Sequence, residues 1–197
     1  MDERVACTAC GAMILPSTAA ANGGMCVPCK RGFRKDIEEG KLRYEERKRA
    51  QANPDPATKH WRWLVGQVYR SPGGFAGLSE ENRTYFAVCL LEGEIYNGGF
   101  HQYFFNSSGD HYADALHGLE EVGAAACRRL LLDAKQVVFG QHEVPGTKAA
   151  RFDYLDLKPA QERKLSGLDR SFGNEAAKLR ELLAQYAQRH CLFQRDI

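Results

Sequence analysis

The chain has 197 residues, of which 44% are hydrophobic, and a formal net charge of +2. That length suits one ordinary domain plus a small module, with enough apolar material for a sizeable core. The near-balanced charge argues for no particular partner, so nothing marks the whole surface for a polyanion.

The first ten residues, MDERVACTAC, are charged and carry no apolar h-region, so no secretory signal is expected. The longest apolar runs, FAVCLL and RLLLDA, are too short to span a bilayer. A soluble, cytoplasmic protein with no membrane partner is the expectation. Of the seven cysteines, Cys89, Cys127 and Cys191 lie scattered in apolar helical context, where a reducing compartment leaves them as small buried hydrophobes.

The other four form two C-x2-C pairs, Cys7 with Cys10 and Cys26 with Cys29, fifteen residues apart. Each pair turns two thiolates toward one point, and two pairs close a tetrahedron around Zn²⁺. Four cysteine ligands leave no open coordination position, so the expected zinc is structural rather than catalytic. A core this small needs the metal to fold. Gly11 eases the first turn. Pro16, Asn22, Gly23 and Gly24 punctuate the gap and predict a short hairpin or loop there. A redox role for C-x2-C needs a thioredoxin-like βαβ context that is absent here.

From 31 to about 51 the chain reads as a helix with a thin apolar stripe, Phe33, Ile37, Leu42 and Tyr44, among charges of alternating sign. Knuckles followed by a helix resemble a zinc ribbon or treble-clef finger. Lys30, Arg31, Arg34 and Lys35 are the candidate phosphate contacts, and a nucleic-acid-associated finger is the alternative they support. Asp36, Glu38 and Glu39 follow at once, and residues 1 to 55 hold ten Lys/Arg against eight Asp/Glu. A solvated charged helix is the competing reading.

QANPDPATKH, residues 51 to 60, marks the boundary between a zinc-binding module with its trailing helix, 1–52, and an all-helical domain, 53–197. Asp55 and Pro56 have the chemistry of a helix start. Trp61, Leu64, Val65 and Val68 share one face of the next helix, and Pro72, Gly73 and Gly74 end it. Ser79 then caps a helix with Glu80 and Glu81 in its first turn. Further helices are predicted near 111–122, 123–138 and 173–190, with a long loop over 140–158. The fold class is mainly α: a small zinc finger followed by an all-helical domain.

NGGFHQYFFNSSGD, residues 97–110, interrupts this pattern. Gly98 stands where a left-handed residue closes the preceding helix. A short helix from Phe100 puts Phe100, Tyr103 and Phe104 on a core-facing stripe, with His101 and Phe105 on another face. Gln102 and Asn106, four apart, can hydrogen-bond one another or a ligand. Ser107, Ser108 and Asp110 offer caps for the next helix.

LLEGEIYNGGFHQYFFNSSGD, followed by ADALHGLEEVGA, resembles the signature of the bacterial DNA-mimic protein family, and LDRSFGNEAAKLRELLAQYAQRH is similar to that family's closing segment. The resemblance covers roughly residues 57–190 and leaves the cysteine module outside it. It implies an all-helical domain able to dimerise. The family's characterised kind binds a transcription factor in place of DNA. A mimic needs a dense array of carboxylates, whereas residues 56–197 hold seventeen Lys/Arg and seventeen Asp/Glu, so the charge departs from that role.

Glu92, Asn97, His101, Gln102 and Asn106 are the candidate partner- or ligand-binding residues, as polar groups beside an aromatic corner. A second reading makes them ties for backbone groups freed at two helix ends. A third uses Glu92 or His101 as an acid or base, but no nucleophile, phosphate loop or metal-protease motif accompanies them. The sequence therefore predicts a non-enzymatic, zinc-containing interaction protein, with a protein partner on the helical domain.

Overall fold

The computed structural model describes residues 3–194, which fall into two units divided between Asp55 and Pro56.

The first unit opens with two short antiparallel strands, β1 (Val5–Ala6) and β2 (Met13–Ile14), paired Val5 to Ile14 and Ala6 to Met13. The chain between them turns tightly. Cys7 N–H donates to Ala12 O at 2.9 Å and Gly11 N–H to Cys7 O at 2.8 Å, with Gly11 at φ 71°. The segment read as a hairpin or loop between the cysteine pairs instead holds a helix, α1 (Pro16–Ala21). Pro16 presets its first residue and three alanines continue it. Helix α2 (Val27–Lys30) starts at Cys26, and α3 (Arg34–Ala52) follows with almost every side chain in water.

Among the described residues, all regular secondary structure of the second unit is helical: α4 (Pro56–Arg70), α5 (Glu80–Phe105), α6 (Tyr112–Glu121), α7 (Ala125–Phe139), α8 (Lys148–Arg151) and α9 (Pro159–Arg189). Short 3-10 turns lie at Phe75–Gly77, Ser107–His111, Phe152–Tyr154 and Leu192–Gln194. Helix α5 is central. Phe86, Leu91, Phe100, Tyr103 and Phe104 from it are fully buried with Leu64 of α4, Leu119 of α6, Leu131 of α7 and Leu179 of α9. The aromatic stripe read from helical spacing thus lies in the core. No helix among the described residues is long and apolar enough to cross a membrane.

Three local readings are corrected. Ser79 stands at the start of α5, but its hydroxyl makes no cap to the helix backbone and accepts instead from Asn82 Nδ2 at 2.9 Å. Helix α9 begins at Pro159, far before residue 173, because a proline at its first position and the Lys158–Gln161 capping pair set its start. The 140–158 segment is folded: α8 and a 3-10 turn lie in it, and Arg151 there is fully buried.

Candidate functional site

The four cysteines converge. Their sulfurs all lie within 4.8 Å of one another, and Cys10 Sγ is 3.8 Å from Cys26 Sγ. A divalent ion held by four thiolates at about 2.3 Å spaces its sulfurs by about 3.8 Å, so the set fits one. Cys7 and Cys26 are buried, Cys10 and Cys29 half-buried. Backbone amides already serve the sulfurs, with Cys26 N–H on Cys7 Sγ at 3.1 Å and Cys29 N–H on Cys26 Sγ at 3.4 Å. The first of these pulls the Cys7 thiol down to about 6. Hydrogen bonding to the neighbouring sulfurs, Cys26 foremost, together with burial pushes Cys29 up to about 12.

Of the candidate phosphate contacts, Lys30, Arg31 and Lys35 are exposed. Arg34 Nε donates to Glu38 at 2.8 Å, and Lys35 Nζ lies 3.8 Å from Glu39. Two of the four thus face carboxylates one turn along α3.

The corner at 97–110 is built around a helix break. Helix α5 is interrupted at Gly98 (φ −164°, ψ 21°) and Gly99 (φ 75°, ψ −176°). The left-handed position is therefore Gly99, not Gly98, in a region essentially reserved for glycine. A side chain at Gly98 would collide with the Gln102 amide, and a Cβ at Gly99 would sit 2.5 Å from Asp169 Oδ2. The freed N–H of Phe100 donates to Asp169 Oδ1 at 2.8 Å. A carboxylate from α9 thus caps the second half of α5. Burial raises the Asp169 carboxyl above its ordinary value, against the pull of the Phe100 N–H.

The organising acid of the corner is Glu94, which the sequence reading passed over. Gln102 Nε2 and Asn106 Nδ2 donate to its Oε2 at 2.7 and 2.9 Å, and Ser108 Oγ donates to its Oε1 at 2.7 Å. Gln102 and Asn106 therefore meet on Glu94 rather than on each other, and Ser108 ties to it rather than capping the next helix. Partial burial opposes the Glu94 charge, but the hydrogen bonds from Ser108, Gln102 and Asn106 together outweigh it and hold the carboxyl below its ordinary value.

Beneath this cluster lies Arg151. Its Nε donates to Phe104 O at 2.8 Å, its Nη1 to Pro145 O at 2.9 Å and its Nη2 to Asn106 O at 2.8 Å. Nη2 also lies 2.7 Å from Asp110 Oδ1. A buried guanidinium thus satisfies carbonyls at the C-terminal end of α5, and Asp110 serves it instead of a helix start. Gly109 makes room, since a Cβ there would fall 2.8 Å from Arg151 Nε.

The remaining candidates point elsewhere. His101 is exposed, 3.4 Å by its Nε2 from Leu155 O and stacked near Phe105. Glu92 pairs with Arg180 of α9 at 2.5 Å. Glu92 and Asn97, with Glu94, line a groove of about 760 Å³ that the sequence did not reveal. Trp61 of α4, Tyr85, Leu90 and Tyr96 of α5, Leu183 of α9 and Phe193 give it an apolar lining. The structure thus divides the five residues: Gln102 and Asn106 join at Glu94, Glu92 and Asn97 lie along the groove, and His101 belongs to neither.

A family model, that of DMP19-like protein, matches residues 76–190, which is more than half of the chain. The chain belongs to the DMP19-like protein family. The matched span takes in α5 to α9, and with them the glycine break, the Glu94 cluster and Arg151. The cysteine centre and α4, which supplies Trp61 to the groove, lie outside it. No curated protein and no solved structure matches the chain.

Proposed function

We propose that this is a non-enzymatic interaction protein, with a structural zinc ion in its first unit and a protein partner on its second. The observation that carries the partner reading is the groove itself. It is open, mainly apolar and of a size that takes a ligand or a partner's side chains. The polar groups of the corner, by contrast, are engaged within the chain, and such engagement suits the reading of them as structural ties. A transcription regulator is the first partner class to test, given what the family's characterised kind binds.

Zn²⁺ is the ion that a four-thiolate set suits. Cys7, Cys10, Cys26 and Cys29 would hold it, and it would supply the folding energy that residues 1–55 lack in apolar core. A knuckle on a strand pair and a second pair at a helix start support a treble-clef-like finger. Unoxidised thiolate ligands suit a reducing compartment such as the cytoplasm.

The test is capture from cell extract by the full chain, compared with Gly93→Trp. Gly93 lines the groove and a Cβ there meets nothing within 4 Å, so the indole fills the groove without crowding the core. A protein retained by the parent and lost from the variant supports the reading. Equal retention by both overturns the groove as the site. Retention of nucleic acid that is lost at high salt and on removing zinc would favour the finger alternative.

A further inference from the structure

The groove's shape and charge point to one kind of occupant. Tyr85, Cys89, Glu92 and Tyr96 follow one another along α5 at spacings of four, three and four, so the lining runs as a single helical stripe. That stripe spans about 16 Å at 1.5 Å per residue, the length of about three helical turns. Gly93 lies within it in the body of a helix, where glycine costs stability against alanine. Here it returns no internal packing, since a Cβ would meet nothing within 4 Å. What its bare backbone leaves is room for another chain to come close.

Three charged residues line the groove: Glu92, Glu94 and Arg180. Arg180 is spent on Glu92. Glu94 is held by three neutral donors, and among the described residues no cation pairs with it. An ionised carboxylate has about four acceptor sites. Oε2 takes two donors and Oε1 only one, so one site on a fixed, uncompensated negative group remains.

We infer that the groove takes an amphipathic helix of the partner, seating its apolar face on Trp61, Leu90, Leu183 and Phe193, with a Lys or Arg at its edge meeting Glu94. This rests on the partner reading above and adds the partner's chemistry: apolar residues at i, i+3 or i+4 and i+7, flanked by positive charge. Rim charges of this kind select among partners more than they set affinity.

The experiment uses the full chain and two labelled peptides of about fourteen residues, long enough for the stripe. One carries Leu at i, i+3, i+4 and i+7 and Lys on the remaining face, an amphipathic helical pattern. The other has Glu for every Lys. Fluorescence anisotropy should show the Leu/Lys peptide binding at least about tenfold more tightly than its acidic counterpart, the scale of one favoured ion pair. Gly93→Trp should abolish that binding with an unfolding midpoint no lower than the parent's. Glu94→Gln should narrow the preference between the peptides. Equal binding of the two peptides, preference for the acidic one, binding by neither, or undiminished binding to Gly93→Trp would overturn the inference. If neither peptide binds while extract capture is still lost in Gly93→Trp, the partner reading stands and only the basic helix falls.

Discussion

Replacing Arg151 should unlatch the 140–158 segment from the end of α5. The side chain is fully buried and donates to three carbonyls besides pairing with Asp110. Hydrogen bonds from a charged donor contribute about 1.5–3 kcal/mol each, and each buried acceptor left bare costs about 1–3 kcal/mol. These do not simply add, and Asp110 is 38% exposed, so water takes over that arm. Removing one partner of a buried charged set costs about 3–5 kcal/mol, and Arg151→Ala should fall in that range. Arg151→Met, which keeps the apolar stem, should lose about 3 kcal/mol, isolating the hydrogen bonds from the packing. Arg151→Lys should lose about 2 kcal/mol, since a single ammonium keeps the charge but not the fork. Urea unfolding by far-UV circular dichroism gives the free energies, and the Ala variant should melt roughly 10–15 °C lower. Losses under about 1 kcal/mol for both Ala and Met would refute the role given to this guanidinium.

Three other outcomes are expected. Glu94→Gln should cost about 1–2 kcal/mol near pH 7, because an amide cannot accept from all three donors and the site is partly solvated. The Glu94 carboxyl is depressed on folding, so the unfolded chain binds its proton more tightly. Its stabilisation is full above the ordinary Glu value of about 4.3 and fades as pH falls through the lower folded value. The gap between parent and variant in urea titrations should therefore close in acid, and a pH-independent gap would contradict the assignment. Asp169 has the opposite sign: its carboxyl is raised, so protonation favours the folded state as pH falls through that raised value. Asp169→Asn keeps an acceptor for Phe100 N–H and should lie within about 1 kcal/mol of the parent, while Asp169→Ala should lose about 1–2 kcal/mol, as for a deleted helix cap. Native mass spectrometry should find one zinc per chain, and Cys26→Ser should lose it and expose residues 3–30 to protease; full occupancy in that variant would show that the ligands are misassigned.

What the sequence made legible was local. The cysteine pairs reveal themselves because each turn sets two ligands within four residues. Phe100, Tyr103 and Phe104 are legible as core because helical spacing alone aligns them. The double glycine marks the break, but the sequence alone puts the left-handed residue one position early, because choosing between Gly98 and Gly99 requires Asp169, seventy residues on. Glu94 does not stand out from Glu92 in the sequence for a related reason. The break resets the helical phase, so spacing along α5 cannot tell which acid meets Gln102 and Asn106. Arg151 and the groove lay beyond reach because they are made across the fold: Arg151 meets carbonyls 45 and 47 residues away. The first half of α9 is hidden in the sequence because QERKLSGLDRSFG is charged and twice interrupted by glycine, and its face is apolar only against α5 and α7.

The most direct test of where this protein works is hydrogen exchange of the full chain with and without its captured partner, read by mass spectrometry. The account expects new protection in α4 around Trp61, in α5 over 85–97 and in α9 around Leu183, with residues 102–108 unchanged. Protection confined to residues 3–52, or to the exposed face of His101 and Phe105, would contradict it.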